Sequence, residues 1–347
     1  MGAGAVRLGV AGFGNVGREF VRLLLERRGL LEERYGLRVG VSFVADSRGA
    51  LCAAGGGVLE WGLVERALEA PRGGVSRLPG GRPGLGVEGA LEECGTDVLV
   101  DATPSRYEDV EPALGWWLRV LGSGGAVVAA DKAPLAVACD RLAVYIYSKP
   151  RLYYKATVMA GTPLIDLLRW GYAGRRVERV VGALNGTTNY LLTRAVEGAS
   201  FGEALREAQE RGYAEPDPSA DLEGFDLAAK ASIVSCTLGG WIPLGRVERR
   251  ARVDGEAFER ARRATAAGRR LRYVAVVEPA AGRAYVDLLE AEPGSVLYDI
   301  RGVENAVVVE SAEAGPVMLR GPGAGARATA AALLSDLVEA ASVMGVL

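Results

Sequence analysis

The stretch that most restricts this fold lies at its start. Val6-Arg-Leu-Gly-Val-Ala11 reads as a short apolar strand that runs into Gly12-Phe-Gly14-Asn-Val-Gly17. Arg18–Glu26 follows, with Phe20, Val21, Leu24 and Leu25 at helical spacing. Strand, G-x-G-x-x-G and helix in that order define a phosphate-binding turn. Its first glycine turns the chain, the second admits a pyrophosphate to the backbone, and the third lets the helix pack on the strand. Gly12, Phe13, Gly14, Asn15, Val16 and Gly17 are therefore candidate cofactor-binding residues. The plain alternative is a glycine-rich turn in a chain with 48 glycines, and the strand before it and helix after it argue against that.

The rest of the first half fits an open α/β sheet. Arg38–Ala45 reads as the second strand, ending in Asp46-Ser-Arg48. An acid at this strand end would hold the ribose of NAD, and a nearby arginine the 2′-phosphate of NADP. Both are present, so the choice between the two stays open. Residues 49–90, rich in Gly, Pro and Arg, are expected to be irregular, with one short helix around 58–70. Asp97–Thr103 reads as a buried strand placing Thr103 at its C-terminal end, where ligands of such sheets bind. A helix is expected at about 107–122, then a strand at 126–130 that delivers Lys132.

Composition removes whole classes of chemistry. Histidine is absent, which excludes His-based nucleophilic systems and most zinc sites. Only four lysines occur, Lys132, Lys149, Lys155 and Lys230, so nearly all 41 basic residues are Arg. Where Lys survives in such a chain the ammonium itself is needed, because Arg cannot release its proton. A formal net charge of −2 shows no polybasic surface for nucleic acid or anionic lipid. No apolar run approaches the roughly 20 residues that span a bilayer, and no secretory leader is evident at Met1–Val6, so a cytoplasmic protein is expected. Cys52, Cys94, Cys139 and Cys236 lack metal or redox spacing and read as free buried thiols.

The second half carries the polar chemistry. Val177–Leu184 reads as a strand ending in Asn185-Gly-Thr-Thr-Asn-Tyr190, which opens a helix and is dense in small donors. Gly212-Tyr-Ala-Glu215-Pro-Asp217-Pro-Ser-Ala-Asp221 follows, with a helix expected from about Ser219. Asp226 and Lys230, spaced i, i+4, share a helical face. A surface ion pair is the bland reading; Phe225, Leu227, Ile233 and Val234 surround the pair with apolar sequence instead. A lysine held by a carboxylate suits proton donation to a developing alkoxide.

The glycine turn, Asp101-Ala-Thr-Pro, Asp131-Lys-Ala-Pro, Ala156–Pro163, Asn185–Tyr190, Glu215–Lys230 and Gly321–Gly325 together resemble the homoserine dehydrogenases over nearly the whole chain. The Asn185–Tyr190 and Glu215–Lys230 segments are specific to that family. The resemblance implies interconversion of aspartate β-semialdehyde and homoserine with NAD or NADP, without zinc. It implies Lys230 as proton donor, Lys132 as the second essential lysine, and Asp226 as its catalytic partner. Glu215, Asp226, Asp221, Thr187 and Tyr213 would hold the substrate, and Thr103, Lys132, Gly212 and Gly325 would touch the cofactor. It also implies a monovalent cation on the carbonyls of Val158, Ala160 and Thr162, beside a Glu in many members. This chain has Lys155 there, and a positive charge at that place opposes retention of the cation. The resemblance is to the short form without a regulatory or kinase domain, so feedback regulation of that kind is not expected.

The expected fold class is α/β: a Rossmann-type dinucleotide-binding domain over residues 1–155 and an α+β catalytic and dimerisation domain over 156–315. Residues 316–347 are expected to return to the first domain, and the protein to form a homodimer. The rival from another class is a catalytically silent nicotinamide-binding sensor. That reading requires the loss of Lys132, Asp226 or Lys230, and all three are present.

Overall fold

Six residues at the start of the chain become the pivot of a seven-stranded sheet in the computed structural model, which describes residues 5–346. Met1–Gly4, where the reading of the chain start begins, and Leu347 lie outside that range. The strands are β1 (Val6–Ala11), β2 (Val39–Asp46), β3 (Gly49–Cys52), β4 (Gly81–Pro83), β5 (Val98–Asp101), β6 (Ala126–Ala129) and β7 (Leu152–Tyr153), in the order β4-β3-β2-β1-β5-β6-β7. Strand β1 pairs in parallel with β2 on one side and β5 on the other, so chain order reverses at β1. In a doubly wound sheet the crevice at that reversal, beyond the strands' C-terminal ends, is where a dinucleotide lies.

The helices that accompany this sheet are α1 (Asn15–Tyr35), α2 (Trp61–Glu69), α3 (Val87–Cys94), α4 (Glu111–Gly122) and α5 (Ala133–Ala143). Two short strands occupy a region expected to be irregular: β3 folds back antiparallel on β2, and β4 on β3. At three and four residues they are too short for an alternating pattern to show.

The second sheet has the order β13-β12-β8-β10-β11-β9. It comprises β8 (Val177–Ala183), β9 (Glu248–Arg249), β10 (Arg270–Glu278), β11 (Arg283–Ala291), β12 (Glu304–Ser311) and β13 (Gly315–Pro322). All its pairings are antiparallel except β9 on β11. Its helices are α6 (Leu164–Asp166), α7 (Gly186–Val196), α8 (Phe201–Glu210), α9 (Ser219–Leu222), α10 (Phe225–Thr237), α11 (Gly255–Ala266) and α12 (Val296–Asp299). Helices α7, α10 and α11 all pack on β10. Helix α13 (Ala326–Val343) ends the fold and packs on α1.

The chain divides into two compact units. Of the described residues, the first comprises 5–134, 140–157 and 325–346; the second comprises 135–139 and 158–324. The first unit's core joins Val6, Leu8 and Val10 of β1 with Phe20, Val21 and Leu24 of α1 and Ala330, Leu333 and Leu337 of α13. The second unit has a cluster of Val181, Ala183, Val274, Val276, Leu297, Ile300 and Val308.

All four cysteines are paired, which corrects their reading as free thiols. Cys52 is bonded to Cys94 within the first unit, and Cys139 to Cys236 within the second. Separations of 42 and 97 residues are set by the tertiary fold and leave no mark in local spacing. No helix of the described residues is long and apolar enough to cross a membrane.

Candidate functional site

In the first unit the Gly12–Gly17 turn lies where β1 hands over to α1. Gly12 has φ 85°, and a Cβ there would approach the backbone of Ala102 and Thr103 to 2.5–2.6 Å. A Cβ on Gly17 would come within 2.1 Å of Gly12 O, so this glycine lets the helix close on the turn. Gly14 has open space where its side chain would be. It caps α1, whose first amide groups face outward with the positive end of the helix dipole. Gly12, Phe13, Gly14, Asn15, Val16, Asp46, Ser47, Arg72, Gly73 and Thr103 line a cavity of about 430 Å³. The open cradle at Gly14, the helix terminus and the strand-end acid fit a dinucleotide.

Asp46 accepts hydrogen bonds from the backbone N–H of Arg48 (2.9 Å) and Val75 (3.2 Å), which fixes its carboxylate at the cavity edge. The Arg48 side chain does not line this cavity; its Cδ lies over Gly73, 2.7 Å from where a Cβ there would stand. Arg72 lines the cavity and donates to Asn15 Oδ1 at 2.6 Å. Sequence reasoning missed it, because Arg72 stands in a Pro71–Gly74 turn remote in sequence from Asp46.

At the ends of β5 and β6 two buried carboxylates organise the backbone. Asp101 Oδ1 accepts from Thr103 N (2.9 Å) and Oγ1 (2.6 Å), and its Oδ2 from Trp117 Nε1 (2.8 Å). Burial raises its pKa. Asp131 is pushed up to about 7, first by burial and then by Asp101. Asp131 accepts from Ala133 N at 2.9 Å, and the Ser105 hydroxyl that bonds it accepts from Lys132 N at 2.9 Å. Lys132 therefore stands at the N-terminus of α5 on a backbone locked from both sides. Gly325, with φ 116°, precedes α13 in the same unit.

In the second unit, strand β8 ends at a cluster that the chain assembles from three segments. Lys230 is 8% exposed; its ammonium lies 2.7 Å from Asp226 Oδ2 and donates to Leu184 O at 2.5 Å. The i, i+4 spacing thus yields a largely buried pair rather than a surface one. Asn185 Nδ2 donates to Asp221 Oδ1 (2.7 Å) and to Asp226 Oδ2 (3.0 Å). Its Oδ1 caps α7 by accepting from Thr188 N. Burial, then the charge of Asp226, raises the Asp221 pKa. Thr187 Oγ1 donates to Tyr213 O at 2.7 Å, which ties the loop after α8 to the start of α7.

Two carboxylates around one ammonium leave a net negative charge, which suits a substrate that brings its own ammonium group. Asn185 is the member that sequence reasoning passed over as a single residue; its place at the head of the amide-rich turn was the signal. Glu215 is exposed on the loop after α8, and Gln209 Nε2 donates to its backbone carbonyl at 3.3 Å. Gly212 lies at the exposed end of α8 with φ 71°.

Lys155, which stands where the resemblance implies a cation-binding Glu, is paired within the first unit. Its ammonium is 2.8 Å from Glu339 Oε2 and 3.6 Å from Asp336 Oδ1 on α13, and donates to Ser335 Oγ. The positive charge at position 155 is thus part of the chain. Among the carbonyls implied by the resemblance, that of Thr162 already accepts from Leu164 N at 2.8 Å. Turnover is expected to be unchanged when sodium is replaced by a large organic cation at constant ionic strength; a specific sodium requirement would overturn this.

A dinucleotide cradle in one unit and a buried lysine–carboxylate pair in another are the working parts of a nicotinamide-type dehydrogenase, and the chain falls in that class. The homoserine dehydrogenase family model matches residues 163–338. The homoserine dehydrogenase of Sulfurisphaera tokodaii is 36% identical over 72% of this chain and 78% of its own. The NAD(+)-dependent homoserine dehydrogenase of Pseudomonas canavaninivorans is 32% identical over 96% and 95%. A hyperthermophilic archaeal homoserine dehydrogenase solved in complex with NADPH superposes with a TM-score of 0.80 at 28% identity, covering 98% of both chains. This chain belongs to the homoserine dehydrogenase family.

Proposed function

We propose that the protein interconverts L-aspartate 4-semialdehyde and L-homoserine with NAD or NADP, as a step in threonine and methionine biosynthesis. The observation that carries this reading is the buried cluster of Lys230, Asp226, Asn185 and Asp221. In the reductive direction Lys230 gives a proton to the substrate oxygen as negative charge develops there. That charge is far more basic than an amine, so transfer is downhill when it is most needed. Asp226 orients the ammonium and, with Asp221, faces the substrate's amino group. Thr187 and Tyr213 shape the polar wall, and Glu215 answers the ammonium from the loop.

The Gly12–Gly17 turn would hold the pyrophosphate and Asp46 the ribose, and Thr103, Lys132 and Gly325 of the same unit would hold the rest of the cofactor. When bound, the nicotinamide supplies or accepts the hydride. Lys132, on its locked backbone, is the second lysine required for turnover. The first unit is the cofactor-binding part, the second the catalytic and dimerisation part, of a cytoplasmic homodimer. The chain has no histidine, and zinc has no part in this reading.

The test is L-homoserine-dependent reduction of NAD and of NADP, measured in parallel on purified protein. Absence of both, or abolition by a chelator with recovery on adding zinc, would overturn the proposal. For the 2′-phosphate, Arg72 replaces Arg48 as the principal candidate. Arg72→Ala is expected to weaken NADP binding more than NAD binding, by about 10-fold or more for loss of one charge-assisted contact. Arg48→Ala should have the smaller effect. Equal changes in the NADP and NAD dissociation constants on Arg72→Ala would remove Arg72 from this role.

A further inference from the structure

Helix α10, which carries Asp226 and Lys230, is buried from Leu227 to Thr237, and its flank is built largely of small residues. Ala228, Ala229 and Ala231, the neighbours of Lys230 in sequence, offer little side-chain bulk to fix the rotation of the helix there, and the larger Ile233 and Val234 are buried further along it. Lys230 is nonetheless held to two partners at 2.5 and 2.7 Å. Given a helix radius of about 2.3 Å plus a side chain of about 6 Å, a rotation of roughly 7° would carry a lysine ammonium by about 1 Å. A misplacement of about 1 Å costs catalysis on the order of 10²-fold.

The opposite side of the helix is pinned. At about 100° per residue, Ser232 and Cys236 lie roughly 200–240° around the axis from Lys230. Both meet the segment Leu135–Cys139, which belongs to the same unit. Cys236 is bonded to Cys139, their Cα atoms 6.2 Å apart, and Ser232 Oγ lies 3.0 Å from Ala136 O. The chain of α5 leaves helical φ/ψ at Ala138, immediately before the bonded cysteine. Both cysteines are buried, at 2% and 0% exposure.

We propose that the Cys139–Cys236 disulfide is a positioning device for the reaction: it fixes the rotation of α10 so that Lys230 keeps its place against Leu184 O and the substrate oxygen. This rests on the reading of Lys230 as proton donor. The bond takes no part in chemistry and acts only through the helix.

The test is a mutant cycle in the full-length protein. Cys139→Ala with Cys236→Ala, or the volume-preserving pair Cys139→Ser with Cys236→Ser, is assayed well below its unfolding temperature. Expected is a 10- to 100-fold fall in kcat with KM within about twofold, as for loss of catalytic geometry rather than of binding. In a Lys230→Ala background the same pair should change kcat by less than about twofold, since the group being positioned is gone. Cys52→Ala with Cys94→Ala, in the first unit, should leave kcat at its wild-type value. Wild-type kcat in the folded Cys139/Cys236 variant, or an equal loss with Lys230 absent, overturns positioning while Lys230 keeps its role. Full turnover in Lys230→Ala overturns the functional reading and this proposal with it.

Discussion

Replacing Lys230 by alanine is expected to lower kcat on the order of 10²–10⁴-fold, the range spanned by a general acid. The substitution removes a donor whose benefit is greatest when charge develops on the substrate oxygen, so the loss falls on turnover rather than on ground-state binding. Cofactor affinity, followed by fluorescence titration, should change little, because Lys230 lies in the second unit and the glycine turn in the first. Lys230→Arg should not rescue activity, since a guanidinium holds its proton at working pH. Asp226→Asn tests the support: the lysine keeps Leu184 O but loses the carboxylate at 2.7 Å. Turnover above about a tenth of wild type in folded, cofactor-bound Lys230→Ala would fall short of even the weakest general-acid effect and end the assignment.

The second large effect is on stability. Cys52, at the end of β3, and Cys94, at the end of α3, close a loop spanning 42 positions. Opening a loop of that length restores unfolded-state freedom corresponding to about 4 kcal/mol at 25 °C. For a cooperative unit of 150–250 residues, this lowers Tm by about 8–16 °C. Thermal unfolding of Cys52→Ala with Cys94→Ala measures it. A Tm within about 2 °C of wild type would show that the bond does little to restrict the unfolded chain.

What the sequence could and could not reveal follows from the range over which each signal acts. The strand–turn–helix at Val6–Glu26 was legible because its apolar pattern and glycines are contiguous. Asp226 and Lys230 were legible as a pair because a helix brings residues four apart together. That the pair would be buried, and bridged to Asp221 by Asn185, depends on β8 and α10 meeting across more than 40 positions. Arg72 enters the cofactor cavity from a turn 26 residues after Asp46 (72 − 46), and only the placement of β3 and β4 brings it there. The disulfides were misread for the same reason: pairing is decided by Cα separations of about 6 Å in the folded chain. Position 155 shows the reverse case. The charge change was visible at once, and the fold supplies its partners, Glu339 and Asp336.

The first unit also imposes an order on how the protein is made. Its core is shared by α1 and α13, and the Arg327–Glu19 pair that joins them spans 308 positions. At about 5–20 residues per second, α1 leaves the ribosome on the order of 15–60 s before its packing partner exists. Through that interval Phe20, Leu24 and Leu31 form an apolar helical face on a nascent chain that is still elongating. The second unit, almost wholly contained in 158–324, can fold while the first waits. A circular permutant that begins at Gly325 and joins Val346 to Ala5 through a short linker would emit α13 ahead of β1, so that α1 meets its partner as it emerges and the first unit is complete at residue 157.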